Sequence, residues 1–153
     1  MALFLSTFEK KIDKKGRVSV PASFRAVLAS EAFNGMVAYA SFINPCIEAC
    51  SMSRMEQMSE RIETLDPFSE EKDAFAAAIL GGAAQLSFDG EGRVMLPELL
   101  LEESKIASEI VFVGKGQTFE MWEPKSYAAY AKESRKMALE RRGHLRAKQG
   151  GAE

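Results

Sequence analysis

The phrase Asp-Lys-Lys-Gly-Arg-Val-Ser-Val-Pro at residues 13–21 returns as Asp-Gly-Glu-Gly-Arg-Val-Met-Leu-Pro at residues 89–97. Asp, Gly, Arg, Val and Pro recur at the same offsets, and an aliphatic residue precedes each proline. The likeness continues downstream, where residues 39–48 can be laid on residues 111–120 after the offset has shifted by a few positions. A repeat of this kind predicts that the chain is two copies of one small unit.

The length of the chain favours two halves that share one core. Of 153 residues, each half would have only about 70 to 80, near the size at which a single core is barely sufficient. We therefore expect a pseudo-twofold unit rather than two separate domains. The sequence has no apolar run of the roughly 18 residues that a membrane helix needs, and its apolar start precedes its first lysines. A cytoplasmic protein is expected.

The cysteines predict no disulfide and no metal site. Cys46 and Cys50 are the only two, and four residues along one strand place them too far apart to be bridged. The single histidine, His144, lies in a polar tail away from both. We expect two reduced structural thiols, no metal and no cofactor.

Charge is distributed unevenly along the chain. Residues 10–25 carry six basic side chains and one acidic one, whereas residues 53–73 carry seven acidic and three basic ones. The segment from Lys132 to Lys148 is basic again. Such runs are commonly solvated faces, but phosphate attraction acts locally, so a basic hairpin on an acidic body is still a nucleic-acid candidate. The net charge of −2 argues only against a protein that is basic overall.

Each repeated phrase predicts a strand, a tight turn and a return strand. Asp13 and Asp89 can accept bonds from backbone amides ahead of them, and Gly16 and Gly92 can take a positive φ. Alternation in the return strand puts Val18 and Val20 on one face and Arg17 and Ser19 on the other. The proline that follows suits the first turn of a short helix.

Between the two phrases, the pattern predicts two helices. Ser51 is a plausible N-cap for the first, and Asp66-Pro67 would end it and begin the second, with Phe68, Phe75 and Ile79 facing inward. After the second phrase come a hairpin over residues 110–122, a helix opened by Pro124, and a frayed tail from Gly143 onward.

The chemistry of the turns offers two readings of their arginines. Arginine bidentate to guanine is the commonest specific contact to a base edge, and Arg17 and Arg93 both follow a tight turn on its outward face. Alternatively, each arginine pairs with the aspartate of its own turn and stiffens the hairpin. Lys14 and Lys15, at the first tip, are candidate phosphate contacts. The second tip is Gly90-Glu91, so the first hairpin is expected to dominate.

The phrase, twice in about 150 residues, resembles the MraZ family of bacterial transcriptional regulators. Further matching segments are Pro21-Ala-Ser-Phe24-Arg25, Leu80-Gly-Gly-Ala-Ala84 and Phe119-Glu-Met-Trp122. The resemblance implies an α+β fold of tandem AbrB-like swapped-hairpin β-barrel units with flanking helices, assembling into rings. It implies binding to G-rich direct repeats and repression of the family's own division and cell-wall operon, and it favours DNA contact for Arg17. Arg25 and Lys11 are further candidates for DNA contact, with ordinary surface positions as their alternative.

The expected organisation is a first unit at 1–50, a helical connector at 51–82, a second unit at 83–130 and a basic helix with a frayed tail at 131–153. Expected partners are double-stranded DNA and further copies of the chain, in the cytoplasm at the nucleoid, with no membrane and no small-molecule substrate. One alternative is a ring-forming interaction protein that recruits a partner through its acidic helices. An enzyme is not expected, because the sequence shows no catalytic triad and no phosphate-cradling loop.

Overall fold

A computed structural model describes residues 2–150 of the chain, with the side chains of residues 2–146. The described residues form eight strands, six α-helices and one π-helical segment. In chain order these elements are β1 Thr7–Lys11, β2 Arg17–Ser19, α1 Ala22–Leu28, β3 Gly35–Ala40, β4 Ile47–Cys50, α2 Met52–Glu63, α3 Glu70–Phe75, the π segment Ala76–Leu80, β5 Ala84–Ser87, β6 Arg93–Met95, α4 Glu98–Ser104, β7 Glu109–Gly114, β8 Phe119–Trp122, α5 Pro124–Glu140 and α6 Gly143–Gly150.

Four of the six strand pairings between described residues join the two halves of the chain. Six strands form one antiparallel sheet in the order β1-β7-β8-β4-β3-β5, and β2 and β6 form a separate two-stranded ribbon. Although β1 and β2 flank one tight turn, β1 pairs with β7 and β2 pairs with β6. Likewise β5 pairs with β3 of the first half. Each half therefore completes the other, which is the swapped-hairpin arrangement of tandem units that the family resemblance implied.

The register of the pairs reveals a pseudo-twofold axis. Val18 lies opposite Val94 in the ribbon, and Glu48 lies opposite Glu120 in the pairing of β4 with β8. These are equivalent positions in the two repeats, and a residue can face its own equivalent only where a twofold axis passes between the two strands. The axis thus runs through the ribbon and through the centre of the sheet.

The residue offset between equivalent positions of the two repeats changes along the chain, because one loop is longer than its counterpart. In the paired registers, Val37 faces Cys50 and Val111 faces Trp122, so Val37 corresponds to Val111. The sequence comparison had placed Tyr39 on Val111, which is wrong by two positions. Six residues connect β3 to β4 and four connect β7 to β8, and this difference accounts for the shift.

The main core lies between the ribbon with its two following helices and one face of the sheet. It combines residues of both halves, including Phe4, Val18, Phe24, Val94 and Phe119, each at most 2 % exposed. Burial of this shared apolar surface is the dominant favourable contribution to folding. A second, smaller cluster lies beneath the connector helices and contains Val37, Tyr39, Cys50, Met55, Ile62 and Ile79.

The connector confirms some of the helix predictions and corrects others. Ser51 caps α2 by accepting a bond from the Arg54 amide, and Ile79 is buried, both as expected. Phe68 is 94 % exposed and Phe75 is 39 % exposed, so their predicted inward orientation is wrong. The cap of α3 is Ser69, which leaves Phe68 in the preceding turn. The change to a π segment after Phe75 alters the helical phase, so that Ile79 faces inward while Phe75 does not.

The chain divides into two compact units, Met1–Glu123 and Pro124–Glu153. In the second unit, the helix that begins at Pro124 is confirmed as α5. The frayed tail predicted from Gly143 is wrong for Gly143–Gly150, which form α6, and residues 151–153 of that tail lie outside the described residues. The finer division at residues 50, 82 and 130 stays a prediction.

The two cysteines are free and buried. Burial raises the pKa of both thiols, Cys46 and Cys50, to about 12. Because the thiolate is the reactive form of cysteine, both side chains are poorly reactive at neutral pH.

None of the helices in the described part of the chain has the length and apolar character needed to span a membrane.

Candidate nucleic-acid interface

Each repeated phrase folds into the same tight turn. In the first, the Asp13 carboxylate accepts bonds from the backbone amides of Lys15 and Arg17, both at 2.9 Å. The amide of Gly16 donates to the Asp13 carbonyl at 3.0 Å, and Gly16 takes a φ of +84°. That conformation is costly for a residue with a Cβ, which explains the glycine. The predicted hairpin-shaping roles of Asp13 and Gly16 match this geometry.

The second turn repeats these contacts. Asp89 accepts from the amides of Glu91 and Arg93 at 2.9 Å, and Gly92 has a φ of +77°. The two turns are also joined across the ribbon. The Val20 amide donates to the Gly92 carbonyl at 3.2 Å, and the Leu96 amide donates to the Gly16 carbonyl at 3.0 Å. The position of each turn therefore depends on the backbone of the other repeat.

Both arginines form the ion pair within their own turn that the sequence left open as an alternative. Arg17 Nε lies 2.8 Å from Asp13 Oδ2, and Arg93 Nε lies 2.9 Å from Asp89 Oδ2. In each turn the aspartate holds the guanidinium through Nε. An arginine fixed in this way loses less conformational entropy when it binds a further partner.

The terminal nitrogens distinguish the two turns. Arg93 Nη2 lies 2.7 Å from a carboxylate oxygen of Glu91, so this guanidinium is held at two points. Among the described residues, no partner contacts the terminal nitrogens of Arg17. The neighbouring tip residues differ as well: Lys14 and Lys15 are exposed in the first turn, where Gly90 and Glu91 are exposed in the second. Only the first turn presents unneutralised positive charge.

The ribbon has one buried face and one outward face. Val18 and Val94 face the core and are 1 % and 2 % exposed. The cross-strand neighbours on the other face are Arg17 with Met95 and Ser19 with Arg93. Alternation along a strand places these four side chains on one surface, and Met95 is 58 % exposed. The outward face thus combines two arginines, a hydroxyl and an apolar side chain.

Arg25 and Lys11 are placed differently from the turn residues. The Arg25 Nε donates to the Val20 carbonyl at 3.1 Å, and its guanidinium packs so closely on Gly92 that a Cβ there would lie 2.7 Å from Nε. Arg25 therefore supports the second turn from behind, although it follows the first phrase in sequence. Lys11 is exposed and lies opposite Glu109 at the end of β1.

Sequence reasoning missed Met95 as a member of the surface and missed the contact of Arg25 with the second turn. Alternation in the second phrase would have found Met95, since it repeats the pattern that placed Ser19 beside Arg17. No sequence signal identified the Arg25 contact, because it depends on pairing between the repeats.

No group of three or more His, Cys, Asp or Glu side chains within residues 2–146 is arranged to hold a metal ion.

The turns fix the protonation of their aspartates. The backbone bond from Arg17 is the main cause that lowers the pKa of Asp13 below its usual 3.8, with the Arg17 guanidinium and the Lys15 amide adding to it. The amide of Arg93 likewise lowers the pKa of Asp89. The bond to Asp89 also raises the pKa of Arg93. All these bonds favour the charged forms, so both turns are ion-paired at neutral pH.

A first prediction concerns the titration of these turns. Since the pKa of Asp13 is depressed in the folded chain, the ionised carboxylate stabilises the turn above pH 3.8, and that contribution is lost as the pH falls through the folded pKa. Carbon-13 NMR of the Asp13 and Asp89 carboxyl groups should therefore show midpoints below 3.8. In Arg17→Ala the Asp13 midpoint should rise only partway, because the backbone amides remain. A full return to 3.8 would contradict the amides as the main cause.

The fold and this surface define a class of protein. Its members have two interlocked repeats, and each repeat holds one Asp-Gly-Arg turn next to a shared two-stranded ribbon. The family model described as "MraZ protein, putative antitoxin-like" matches residues 3–77 and 79–147. Proteins named transcriptional regulator MraZ are 54 % identical over 147 residues in Rickettsia bellii (strain OSU 85-389) and 53 % identical over 146 residues in Rickettsia canadensis (strain McKiel). Each alignment covers 95 % of this chain and 98 % of the relative. The chain belongs to the MraZ family.

Proposed function

We propose that this protein is a sequence-specific DNA-binding transcriptional regulator that reads the major groove with the β2–β6 ribbon. The groove of B-DNA is wide enough to admit a two-stranded ribbon, and a bidentate arginine there discriminates guanine. The observation that carries the proposal is the outward face at Arg17: a guanidinium held at Nε by Asp13, with no partner on its terminal nitrogens among the described residues. That geometry leaves a fork for the O6 and N7 atoms of guanine.

The other residues have graded roles in the proposal. Lys14 and Lys15, exposed at the first tip, bind phosphates and fix the position of the ribbon on the duplex. Arg93 contributes less than Arg17, because Glu91 already pairs with its Nη2 and would repel phosphate. Lys11 adds attraction for phosphate near the first turn. Arg25 acts through the second turn, which it supports.

One subunit presents too few cationic groups to hold DNA tightly, so the proposal includes assembly. Several copies related by rotation would bring the same ribbon to successive direct repeats, and linked binding would raise the overall affinity. The likeness to the MraZ family supports G-rich direct repeats as the target and repression of the protein's own division and cell-wall operon as the outcome. Such a regulator works at the nucleoid, in the cytoplasm.

The test is a fluorescence-anisotropy titration with a duplex from upstream of the protein's own operon and a scrambled duplex of the same composition, each over a salt series. Tighter binding to the native duplex, weakening as salt rises, is the expected result. Equal binding to both duplexes would mean that the ribbon is only a non-specific basic patch and does not read sequence. Absence of binding to either would reject the proposal in favour of a ring-forming interaction protein.

A further inference from the structure

An apolar groove on the surface of the first unit has no role in the ribbon. It has a volume of about 470 Å³ and lies between the π segment and α4. Small residues form much of its lining, namely Ala77, Ala78, Gly81, Gly82 and Ala84. Large apolar side chains stand at its sides: Phe42 is 55 % exposed and Leu99 is 65 % exposed. Exposed apolar surface that continues over several residues marks an interaction site.

Neighbouring side chains extend this apolar surface. Phe75 stacks on Phe42 with ring centroids 6.1 Å apart and is itself 39 % exposed. Ile43, next in the chain, is 85 % exposed. Two phenylalanines that stack on each other in water are preorganised to receive a partner, because their rotamers are already restricted. The groove and its rim therefore have the form of a preformed docking surface.

The helix that lines the groove, α4, is acidic, and so is α3, which precedes the π segment in the chain. The α3 helix carries Glu70, Glu71 and Asp73 against Lys72, and α4 carries Glu98, Glu102 and Glu103 with no basic residue. Glu103 lines the groove directly. The complementary partner is a basic segment that exposes large apolar side chains to fill the space above the small residues. Laying an amphipathic helix into such a groove is a common mode of recognition.

The second unit of this chain matches that description. Its residues 132–146 carry six basic side chains and two acidic ones, which are Lys132, Arg135, Lys136, Arg141, Arg142 and Arg146 against Glu133 and Glu140. The same segment exposes Met137 at 49 %, Leu139 at 48 % and Leu145 at 85 %. These three large apolar side chains, two on α5 and one on α6, are therefore left in water by the part of the chain that the structure describes.

We propose that the segment 132–146 of one copy, which comprises the end of α5 and the start of α6, docks into the Phe42–Leu99 groove of another copy. The opposite charges orient the approach, and Met137, Leu139 or Leu145 fill the space above Ala77 and Ala78. Groove and segment are different surfaces, so the contact is head-to-tail and leaves a free groove and a free segment on every pair. A contact of that type continues until a ring closes or a filament forms. The inference concerns assembly and is tested without DNA, so it stands or falls separately from the proposed reading of bases.

The test uses cysteine pairing between two forms of the full-length protein. One form carries Leu99→Cys in the groove and the other carries Leu145→Cys in the basic segment; the native thiols, Cys46 and Cys50, are buried and do not compete. After mixing under mild oxidation, a disulfide-linked pair of the two forms is expected. A mixture of Leu145→Cys with Leu5→Cys, an exposed position outside the groove lining, is the matched control. Cross-linking no greater than in this control would overturn the proposal.

A form that carries both cysteines separates the remaining possibilities. If it closes a disulfide within one chain while the mixed forms do not pair, the segment docks on its own groove and the proposal is wrong.

A second measurement follows self-association by light scattering after size-exclusion chromatography. Ala78→Arg, which places a cation in the groove, should weaken self-association about tenfold or more, whereas Ala26→Arg on α1 should leave it unchanged. Equal behaviour of the two variants would contradict the groove as the interface.

Discussion

Arg17→Ala will weaken binding to the specific duplex by roughly 10- to 100-fold, whereas Arg93→Ala will weaken it several-fold at most. A good bidentate contact to guanine is worth about 1–3 kcal/mol, and the terminal nitrogens of Arg17 are the ones placed to make it. In Arg93, Nη2 is engaged by Glu91 at 2.7 Å, and the acidic tip beside it repels phosphate. Anisotropy titration with the native duplex, at one fixed salt concentration, measures both variants side by side.

These variants are matched because the two turns have equivalent sets of backbone hydrogen bonds. In each, the aspartate keeps its bonds from two amides at 2.9 Å after the arginine side chain is removed, so the hairpins should persist. Thermal unfolding of both variants checks this. Arg17→Lys adds a second control, since lysine keeps the charge but cannot make a planar bidentate contact. Equal losses in Arg17→Ala and Arg93→Ala would refute the proposed asymmetry.

The asymmetry between the turns is a departure from an otherwise symmetric subunit. The backbone of each turn is the same, and the twofold passes between Val18 and Val94. The side chains differ, because Arg25 packs behind the second turn and the first turn has an open groove in the equivalent place, where Leu101 and Met95 lie. In the proposed function, the second repeat therefore supports the first, and base recognition belongs to the first turn, where the terminal nitrogens of Arg17 have no partner among the described residues.

The features that could be predicted from the sequence are those that depend on neighbouring residues in the chain. Aspartate, glycine and proline at fixed offsets identify each turn and the helix that follows it, and the alternation around Val18 places Arg17 on the outward face. Ser51 was identified as a helix cap for the same reason. Each of these features depends on side chains that bond within four residues of themselves, so a short window of sequence contains the whole cause.

Features that depend on distant partners were not predicted from the residues. The pairing of β2 with β6, and the contact of Arg25 with Gly92, depend on how the repeats interlock. The π segment is a further case. It changes the helical phase after Phe75, so a constant period of 3.6 residues wrongly predicts that Phe75 and Ile79 share one inward face. Phe68 is exposed for a different reason, because it lies in the turn before the Ser69 cap of α3.

Phe24→Ala should reduce the free energy of unfolding by about 3–5 kcal/mol, the loss typical of a large aromatic side chain removed from a core. Phe24 is fully buried on α1, and its ring lies 5.3 Å from Phe4 and 4.8 Å from Phe119. It therefore joins residues of the first half to β8 of the second half, and the cavity left by its removal would be lined by both. Urea denaturation followed by circular dichroism measures the change.

Phe68→Ala is the matched control, because it removes the same atoms from a side chain that is 94 % exposed. Its effect on stability should be within about 0.5 kcal/mol, as for most surface substitutions. Both variants must be compared with the wild type at one protomer concentration, since self-association adds to apparent stability by mass action. A large loss in Phe68→Ala at low concentration would mean that this ring is buried in the folded chain. A loss below about 1 kcal/mol in Phe24→Ala would mean that the two halves do not depend on a common core.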